Sequence, residues 1–554
     1  MMPSIKHPDV KKREKNPLKE WTIMVFCAGD NELSPMIVSQ LKDLKDAGHH
    51  KDVNVLVYFD ANERGVPTRV YSINQNGRNC HSRRSFTYVD NLASDNVTID
   101  PNAGPAAKKL ADILKDPLEK EAEGALSSFL AFCREQYRAK HYALLLVGHG
   151  MIVANDAFLP DEFPNSSITL KGLGRTMDVF GGNLDLLGLH SCSMSAIEVA
   201  YELKGKAKYM IASEGQAYVQ GWPYRKLLQK LFDFLNEANA HNGNNGHNGQ
   251  NGNVKPQAQS MDLRPMLEGL YSLASSNGLD FTLSGYSQDL ALINLDPNNY
   301  STLTGAIEEL VNQLKLAMSD ESCVSATQLI QLAHLESQSY FNESYTDLYD
   351  FCYCLARSCK TDSLKDLKAA CEEVMAELEP DNSTSIGDRF SRIVVRSTNF
   401  GSLYQHSHGL SVYFPWTTPL GDSKGSVLKR YKKYKFTEEF QKGHSWRSFL
   451  KLYLKKTQRE AREKFEVSHD ENVILASVGY GVGQLSVLEG PQKTSGASGS
   501  TCHCASIKNF PVVERTIKGR KYCVRKLAMS QEFTADQQEA APPRRVAYAN
   551  AGTP

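Results

Sequence analysis

Apolar runs that favour β-strands alternate with runs of helical periodicity over the first half of the chain. Residues 21–28 and 53–59 are apolar and rich in β-branched and aromatic side chains, whereas residues 33–47 have the apolar spacing of a helix. Further strand-like runs follow at 142–147 and 184–189. Strands that are apolar on both faces are typical of a parallel sheet covered by helices on each side. The pattern therefore predicts an α/β fold with a mostly parallel sheet.

Length and composition indicate a globular chain of more than one domain. Its 554 residues exceed what one hydrophobic core usually organises, and 41% hydrophobic and 23% charged residues are ordinary for a folded protein. We predict a polar amino-terminal arm, an α/β domain, a flexible Asn/Gly-rich insertion, an α+β second half packed on that domain, and a mostly flexible carboxy-terminal extension. The predicted boundaries are 1–20, 21–237, 238–257, 258–454 and 455–554, in that order.

Two polar segments of the chain are predicted to be flexible. Residues 241–253 contain no apolar side chain, so they cannot contribute to a core and we expect them to be flexible. From about residue 483 the chain loses periodicity, and its basic residues outnumber its acidic ones two to one. We therefore expect a largely disordered basic tail, in which residues 507–524 are a candidate for a small ordered piece.

Charge, hydropathy and cysteine usage narrow the class of protein. The formal net charge is +0 and no phosphate-loop pattern occurs, so we expect no nucleic-acid partner. No apolar run approaches the ~18 residues of a membrane span, and the amino terminus lacks the apolar core of a secretory signal. We therefore expect a soluble, cytoplasmic protein without a membrane partner. Its 12 cysteines are expected to be reduced core thiols, and no feature specifies an oligomeric state.

Polar side chains follow two of the predicted parallel strands, at the sheet edge where functional groups usually gather. The strand at 142–147 continues into a Gly-His-Gly run centred on His149, and the strand at 184–189 into a His-Ser-Cys-Ser run that contains Cys192. A tight turn with a surface imidazole, and a small buried thiol, would explain each motif taken alone. Together they present both partners of a nucleophilic dyad at one edge.

Cys192 is predicted to lie at the start of a helix. Ser195 and Glu198 have the spacing of a capping box, which would begin a helix just after the cysteine. The amides and dipole of such a helix, with a nearby imidazole, favour a thiolate. His149 precedes Cys192 by about forty residues, an order closer to that of caspases than to that of papain-like enzymes.

At these residues, and at further landmarks over about 21–454, the chain resembles the clostripain family of cysteine peptidases, which share the fold of caspases, gingipains and legumain. The landmarks are WTIMVF at 21–26, LVGHG at 146–150, SCSMSAIE at 191–198, GWPY at 221–224 and GLSVYFP at 409–415. The resemblance implies a caspase-like sheet and an endopeptidase acting on protein or peptide substrates. It also implies that Cys192 is the nucleophile, that His149 is the base or acid, and that the backbone amides of Gly150 and Cys192 hold the oxyanion.

The pocket for the residue before the scissile bond departs from the family pattern. Family members generally carry an Asp two residues before the nucleophile and cleave after Arg or Lys, whereas this chain has His190 there. Period-two alternation places His190 on the same side of the strand end as Cys192. An imidazole cannot give the bidentate contact of a carboxylate, so we expect only a weak preference for Arg or Lys unless Glu214 supplies the charge. Trp222 is the third candidate for this pocket.

We expect no metal ion and no other cofactor. Some members of the family need calcium, and Asp156, Asp161 and Glu162 make the loop after His149 acidic. These carboxylates have no regular spacing, so a solvated loop explains them equally well. Asp156 or Asp161 is also an alternative source of the pocket charge that His190 lacks.

A second interpretation is a caspase-like scaffold without turnover. His190 in the pocket and the basic tail motivate it, because such a chain would act by binding a partner through its tail or its helical half. A function that survives Cys192→Ala but is lost when residues 484–554 are removed would favour this scaffold. The reverse result would favour catalysis.

Overall fold

The computed structural model describes most of the chain between residues 17 and 528. The described residues are 17–62, 67–73, 95–97, 99–115, 121–151, 153, 156–162, 165–244, 262–276, 286–319, 324–341, 343–380, 385–416, 426–467, 473–476, 484–489, 512–517 and 520–528. Most of the predicted amino-terminal arm, and residues 245–257 of the predicted insertion, lie outside this part.

The strands and helices follow the alternation that the sequence indicates. The strands are β1 (Lys19–Gly29), β2 (Val53–Ala61), β3 (Arg69–Ser72), β4 (Asp95–Asn96), β5 (Ala139–Val147), β6 (Phe158–Glu162), β7 (Asn165–Ile168), β8 (Leu184–His190), β9 (Ala207–Ala212), β10 (Gln288–Asn294), β11 (Ser339–Tyr340), β12 (Tyr345–Asp347), β13 (Val394–Phe400), β14 (Ser411–Tyr413), β15 (Val473–Ala476), β16 (Gln484–Glu489), β17 (Val512–Ile517) and β18 (Arg520–Ala528).

The helices are α1 (Ser34–Asp46), α2 (Pro105–Lys115), α3 (Ala122–Gln136), α4 (Leu170–Met177), α5 (Ile197–Leu203), α6 (Tyr224–Asn244), α7 (Arg264–Ser276), α8 (Tyr300–Ser319), α9 (Val324–Glu336), α10 (Leu348–Ser358), α11 (Lys365–Leu378), α12 (Ile386–Ser391), α13 (Ser426–Tyr431), α14 (Lys435–Glu438) and α15 (Trp446–Val467). None of the described helices combines the length and the apolar character needed to cross a membrane.

A nine-stranded sheet joins seven strands from the first half of the described chain to two later ones, β10 and β13. Its order is β13-β10-β9-β8-β5-β1-β2-β3-β4. The strands from β9 to β2 run parallel, while β10 and β13 join antiparallel at one edge and β3 and β4 at the other. The predicted α/β class with a mostly parallel sheet is confirmed.

The two faces of β1 explain why the strand is apolar throughout. Trp21 and Val25 belong to one buried cluster that includes Leu231 of α6. On the opposite face, the ring centroid of Phe26 lies 4.5 Å from that of Tyr58 and 6.2 Å from that of Phe129 in α3. Burying such a side chain is worth about 1.5–3 kcal/mol. Helical side chains therefore pack against both faces, as the continuous apolar runs predict.

Strands β5 and β8 end side by side. Val147 at the end of β5 pairs with His190 at the end of β8. Because the strands are parallel, the residues that follow them leave the same edge of the sheet. This register brings the predicted His149 and Cys192 segments to adjacent positions.

The described residues form two compact units whose limits differ from the predicted domains. One comprises those within Met1–Ser195, Val199–Ser301 and Glu379–Gly409, and the other those within Ala196–Glu198, Thr302–Leu378 and Leu410–Pro554. Strands β10 and β13, which lie beyond residue 237, belong to the nine-stranded sheet of the first unit. Their strand-like runs were recognisable, but the spacing along the chain does not reveal which sheet a strand joins.

The predicted flexible segments also contain regular structure. Helix α6 continues to Asn244, into the predicted insertion, and α15 continues to Val467, into the predicted extension. Strands β15 to β18 form a four-stranded antiparallel sheet in the order β15-β16-β18-β17. The basic residues of β18 stand in two adjacent pairs, 520–521 and 525–526, so the strand lacks a regular apolar alternation. Strand β17 and most of β18 fall within residues 507–524, the predicted candidate for a small ordered piece.

In the second unit, aromatic side chains form a core beside a small three-stranded sheet, β11-β12-β14. The ring centroid of Phe414 lies 5.3 Å from that of Trp446 and 4.9 Å from that of Tyr453. The cysteines described in both units are free thiols, and most are buried, as expected for reduced core thiols.

Candidate active site

Gly150 packs against the backbone of Cys192 so closely that no side chain fits between them. A Cβ at position 150 would lie 1.7 Å from the carbonyl oxygen of Cys192 and 2.8 Å from its nitrogen. A glycine is needed wherever two backbones approach in this way. The turn that carries His149 and the turn that carries Cys192 are therefore in direct contact, as the two strand ends predicted.

His149 is partly exposed and contacts Glu32. Its Nε2 lies 2.8 Å from Oε1 of Glu32, and the two side chains are 29% and 56% exposed. The hydrogen bond from His149 is the main cause that lowers the pKa of Glu32. Because a carboxylate only accepts, Nε2 is the donor in this contact.

The sequence pattern around Glu32 did not indicate its contact with His149. The residue follows β1, and β1 pairs with β5, which ends just before His149. Residues after neighbouring parallel strands gather at one edge, so the order of the strands would have found Glu32. That order is not visible in the spacing of the sequence.

The sulfur of Cys192 lies between the two backbone groups of Ala217. The Ala217 N–H donates to Sγ at 3.4 Å, and the thiol donates to the Ala217 carbonyl oxygen at 3.7 Å. Burial raises the pKa of the Cys192 thiol, and the charge of Asp289 acts in the same direction, whereas the hydrogen bond from Ala217 opposes them. The resting group is therefore a thiol.

The predicted helix cap after Cys192 is not formed. Helix α5 begins only at Ile197, and the Ser195 hydroxyl donates to the carbonyl oxygen of Gly409 at 2.6 Å. The Ser195 backbone N–H donates to the Ser213 carbonyl oxygen at 2.8 Å, so it is not available to the Glu198 carboxylate that a capping box requires. The helix therefore gives no account of a thiolate at Cys192, and the neighbouring imidazole is the group left to generate one.

Glu198, the other half of the predicted box, is fully buried and contacts distant residues. Its Oε1 accepts from the backbone N–H of Tyr413 at 2.9 Å and from the hydroxyl of Tyr431 at 2.5 Å. Burial raises the pKa of Glu198 to about 7, although both hydrogen bonds lower it.

The loop that carries Ala217 is fixed by a carboxylate that the sequence did not indicate. Asp289 of β10 accepts from the backbone N–H of Glu214 at 2.6 Å and of Gly215 at 2.9 Å. A carboxylate that accepts two amides holds a turn firmly. Asp289 therefore orders the loop against which Cys192 rests, and its only sequence signal is a charge inside an apolar strand.

His190 is buried and has partners on both ring nitrogens. Its Nε2–H donates to the Tyr218 carbonyl oxygen at 2.8 Å, and its Nδ1 accepts from the Tyr224 hydroxyl at 2.7 Å. The ring stacks on Trp222 with centroids 4.8 Å apart and planes 12° apart. Burial lowers the pKa of His190 to about 4. This histidine is therefore neutral in ordinary buffers.

The three predicted pocket residues do not present open side chains. His190 and Trp222 are each 3% exposed, and Glu214 is 0% exposed. One carboxylate oxygen of Glu214 accepts from the backbone N–H of Gly409 at 2.8 Å. The structure thus brings His190 and Trp222 together under the site, whereas Glu214 contacts a different segment.

The acidic loop after His149 is not gathered around a common point. Asp156 accepts from the backbone N–H of Leu170, and Glu162 accepts from the amide of Asn62. In the described part of the chain no group of three or more His, Cys, Asp or Glu side chains is placed to hold a metal ion. Asp156 and Glu162 are thus engaged by different segments, and the absence of a metal ion stays a prediction.

A mostly parallel α/β sheet with a histidine and a cysteine after adjacent strands has the arrangement of a cysteine peptidase. A family model, described as the clostripain family, matches residues 25–453. The chain belongs to the clostripain family and is a cysteine-type endopeptidase.

Individual relatives are distant. Clostripain of Hathewaya histolytica is 23% identical over 455 residues, which are 75% of this chain and 78% of that protein. A secreted C11 cysteine protease from Bacteroides thetaiotaomicron, solved with an irreversible peptide inhibitor, has a TM-score of 0.44 at 16% identity over 76% of this chain and 97% of that one. An inactive zymogen C11 protease from Parabacteroides distasonis has a TM-score of 0.43 at 15% identity over 77% and 99%.

Proposed function

We propose that His149 and Cys192 form the catalytic dyad of this peptidase. The observation that carries the proposal is the contact of Gly150 with the Cys192 backbone, which holds the imidazole and the thiol in neighbouring turns. Membership of a cysteine peptidase family supports the same assignment. The substrate is a protein or peptide.

The raised pKa of Cys192 bears on the first chemical step. Because the thiol is protonated at rest, His149 accepts its proton as the sulfur attacks the scissile carbonyl carbon. A C–S bond forms and the carbonyl electron pair moves to the oxygen. Amides at Gly150 and Cys192 would donate to this oxyanion.

The intermediate collapses when His149 returns the proton to the leaving amine and the C–N bond breaks. A thioester to Cys192 is left. Water, deprotonated by His149, then attacks the thioester and releases the carboxylic acid and the thiol. Glu32 supports both steps, because its contact with Nε2 orients the ring and stabilises the imidazolium.

We propose that any preference for Arg or Lys before the scissile bond is weak. His190 is neutral and engaged with two tyrosines, and the carboxylate of Glu214 faces the Gly409 amide. Neither supplies a bidentate contact to a guanidinium. A cytoplasmic location stays a prediction, which fractionation of the producing cells would test.

Fluorogenic peptides ending in Arg, Lys, Leu or Asp test the proposal. Wild-type protein should cleave, and Cys192→Ala and His149→Ala should not, whereas Cys354→Ala serves as a matched control that removes a thiol elsewhere. An alkylating peptide analogue should label Cys192 in wild type and not in His149→Ala, because the imidazole generates the reactive thiolate. Full activity in Cys192→Ala would overturn the dyad, and inactivity of every protein including wild type would favour the scaffold interpretation.

A further inference from the structure

A cationic cavity opens at the sheet edge opposite to His149 and Cys192. It has a volume of about 390 Å³. We call it the amino-edge cavity. Its lining residues are Leu18, Arg134, Arg138, Ala139, Lys140, His141, Tyr142, Phe180, Asn183, Asp185 and Lys208. They include the first residues of β5 and the early residues of β8 and β9. The starts of parallel strands share one edge, so this cavity is separate from the candidate active site.

The charge of the cavity is positive after its internal contacts are considered. The carboxylate of Asp185, 3% exposed, accepts from Lys208 Nζ at 2.7 Å and from the backbone N–H of Tyr142 at 3.0 Å, and lies 3.3 Å from Nδ1 of His141. Lys140 pairs with Glu20 at 2.6 Å. The one carboxylate of the lining is therefore already compensated.

Among the described residues, Arg134 and Arg138 have no acidic partner that would compensate their charge. Arg134 donates to the carbonyl oxygen of Val179, which is a neutral acceptor. Within the described residues, no carboxylate pairs with Arg134 or Arg138. Both side chains are exposed at the mouth of the cavity. A guanidinium presents donors in a planar fork that matches phosphate oxygens.

We propose that the amino-edge cavity binds a small, multiply phosphorylated molecule. Its volume lies in the range of about 300–1,000 Å³ that is usual for small-molecule sites. The rings of Tyr142 and Phe180, with centroids 5.2 Å apart, give an apolar wall beside the cations. The chain has a formal net charge of +0, so the attraction is local and favours a compact anion over a nucleic acid.

Binding should stabilise the folded chain. A ligand in this cavity would join α3, β5 and β9 through their cationic side chains, and a ligand that binds only the folded state raises the unfolding temperature. The expected result is a saturable increase in melting temperature with tripolyphosphate, larger than with sulfate or with sodium chloride of equal ionic strength.

The test uses the full-length protein, with tripolyphosphate as the probe in calorimetry and thermal unfolding at constant ionic strength. The double variant Arg134→Ala/Arg138→Ala should lose affinity at least tenfold. The matched control Lys108→Ala/Lys109→Ala removes the same charge from exposed positions of α2 and should bind as wild type does. Equal losses in both variants, no loss in either, no saturable binding to wild type, or tighter binding of a single-stranded oligonucleotide would each overturn the proposal.

Discussion

His149 follows β5, and His190 is the last residue of β8, the neighbouring parallel strand that leads to Cys192. The surroundings of the two histidines differ. His149 is partly exposed and faces the carboxylate of Glu32, whereas His190 is enclosed by Tyr218, Trp222 and Tyr224. A carboxylate partner stabilises an imidazolium, and burial against neutral groups prevents one from forming. The same residue type is therefore suited to proton transfer in one place and to packing in the other.

The largest expected effect separates the two histidines by activity. A positioned acid–base group contributes about 10²–10⁴-fold to the rate, so His149→Ala should lower kcat/KM for a peptide by that factor. The ring is 29% exposed, so the melting temperature should change little. Steady-state kinetics and calorimetry on the same sample provide the measurement. If His149→Ala keeps about half of the activity, His149 is not the group that transfers the proton.

His190 should instead determine stability at acidic pH. Its folded-state pKa of about 4 lies below the ordinary 6.5, so the unfolded chain binds the proton more readily between these values. Its contribution is fully present above pH 6.5 and is lost as the pH falls towards 4. The difference corresponds to about 3 kcal/mol.

The variant His190→Gln tests this pH dependence, because the glutamine amide retains a donor for the Tyr218 carbonyl oxygen and an acceptor for the Tyr224 hydroxyl. Urea unfolding at pH 4.5 and pH 7 should show a smaller difference in the variant than in wild type. His149→Gln is the matched control and should retain the wild-type difference. Equal pH dependence in the His190 variant and wild type would show that another group is responsible.

Glu198 should give a pH dependence of the opposite sign. Burial raises its pKa from the ordinary 4.5 to about 7, so the folded chain holds a proton that the unfolded chain releases. Stability therefore falls as the pH rises from 4.5 to 7, by about 3 kcal/mol. Glu198→Gln should flatten this fall in thermal unfolding, whereas Glu309→Gln, at an exposed position, should not. A steeper fall in the Glu198 variant would contradict the assignment.

The smallest effect concerns Glu32. Exposed ion pairs are worth about 0.2–1 kcal/mol, which corresponds to at most about fivefold in rate. Glu32→Gln should therefore lower kcat by about two- to fivefold, with KM unchanged, because the residue positions His149 and does not touch the substrate. Glu32→Asp should recover part of the loss. A drop as large as that of His149→Ala would give Glu32 a direct chemical role.

The sequence predicted what depends on local patterning. Apolar runs located β1, β5 and β8, and the polar runs after β5 and β8 located His149 and Cys192 at one edge of the sheet. The sequence missed what depends on long-range pairing: the contact of Glu32 with His149, the support from Asp289, and the sheet membership of β10 and β13. The capping box failed for the same reason, since the Ser195 N–H donates to Ser213 and the Glu198 carboxylate accepts from Tyr413.

Gly409 is synthesised long after Cys192, so its contacts near the site form late. Its carbonyl oxygen accepts from Ser195, and its N–H donates to Glu214, so one late residue joins the segment that carries Cys192 to the loop that carries Ala217. A ribosome adds about 5–20 residues per second, so roughly 10–40 seconds separate the synthesis of Cys192 from that of Gly409. During that interval the nascent chain carries its thiol without these acceptors and donors. These two contacts are therefore completed late in the synthesis of the chain.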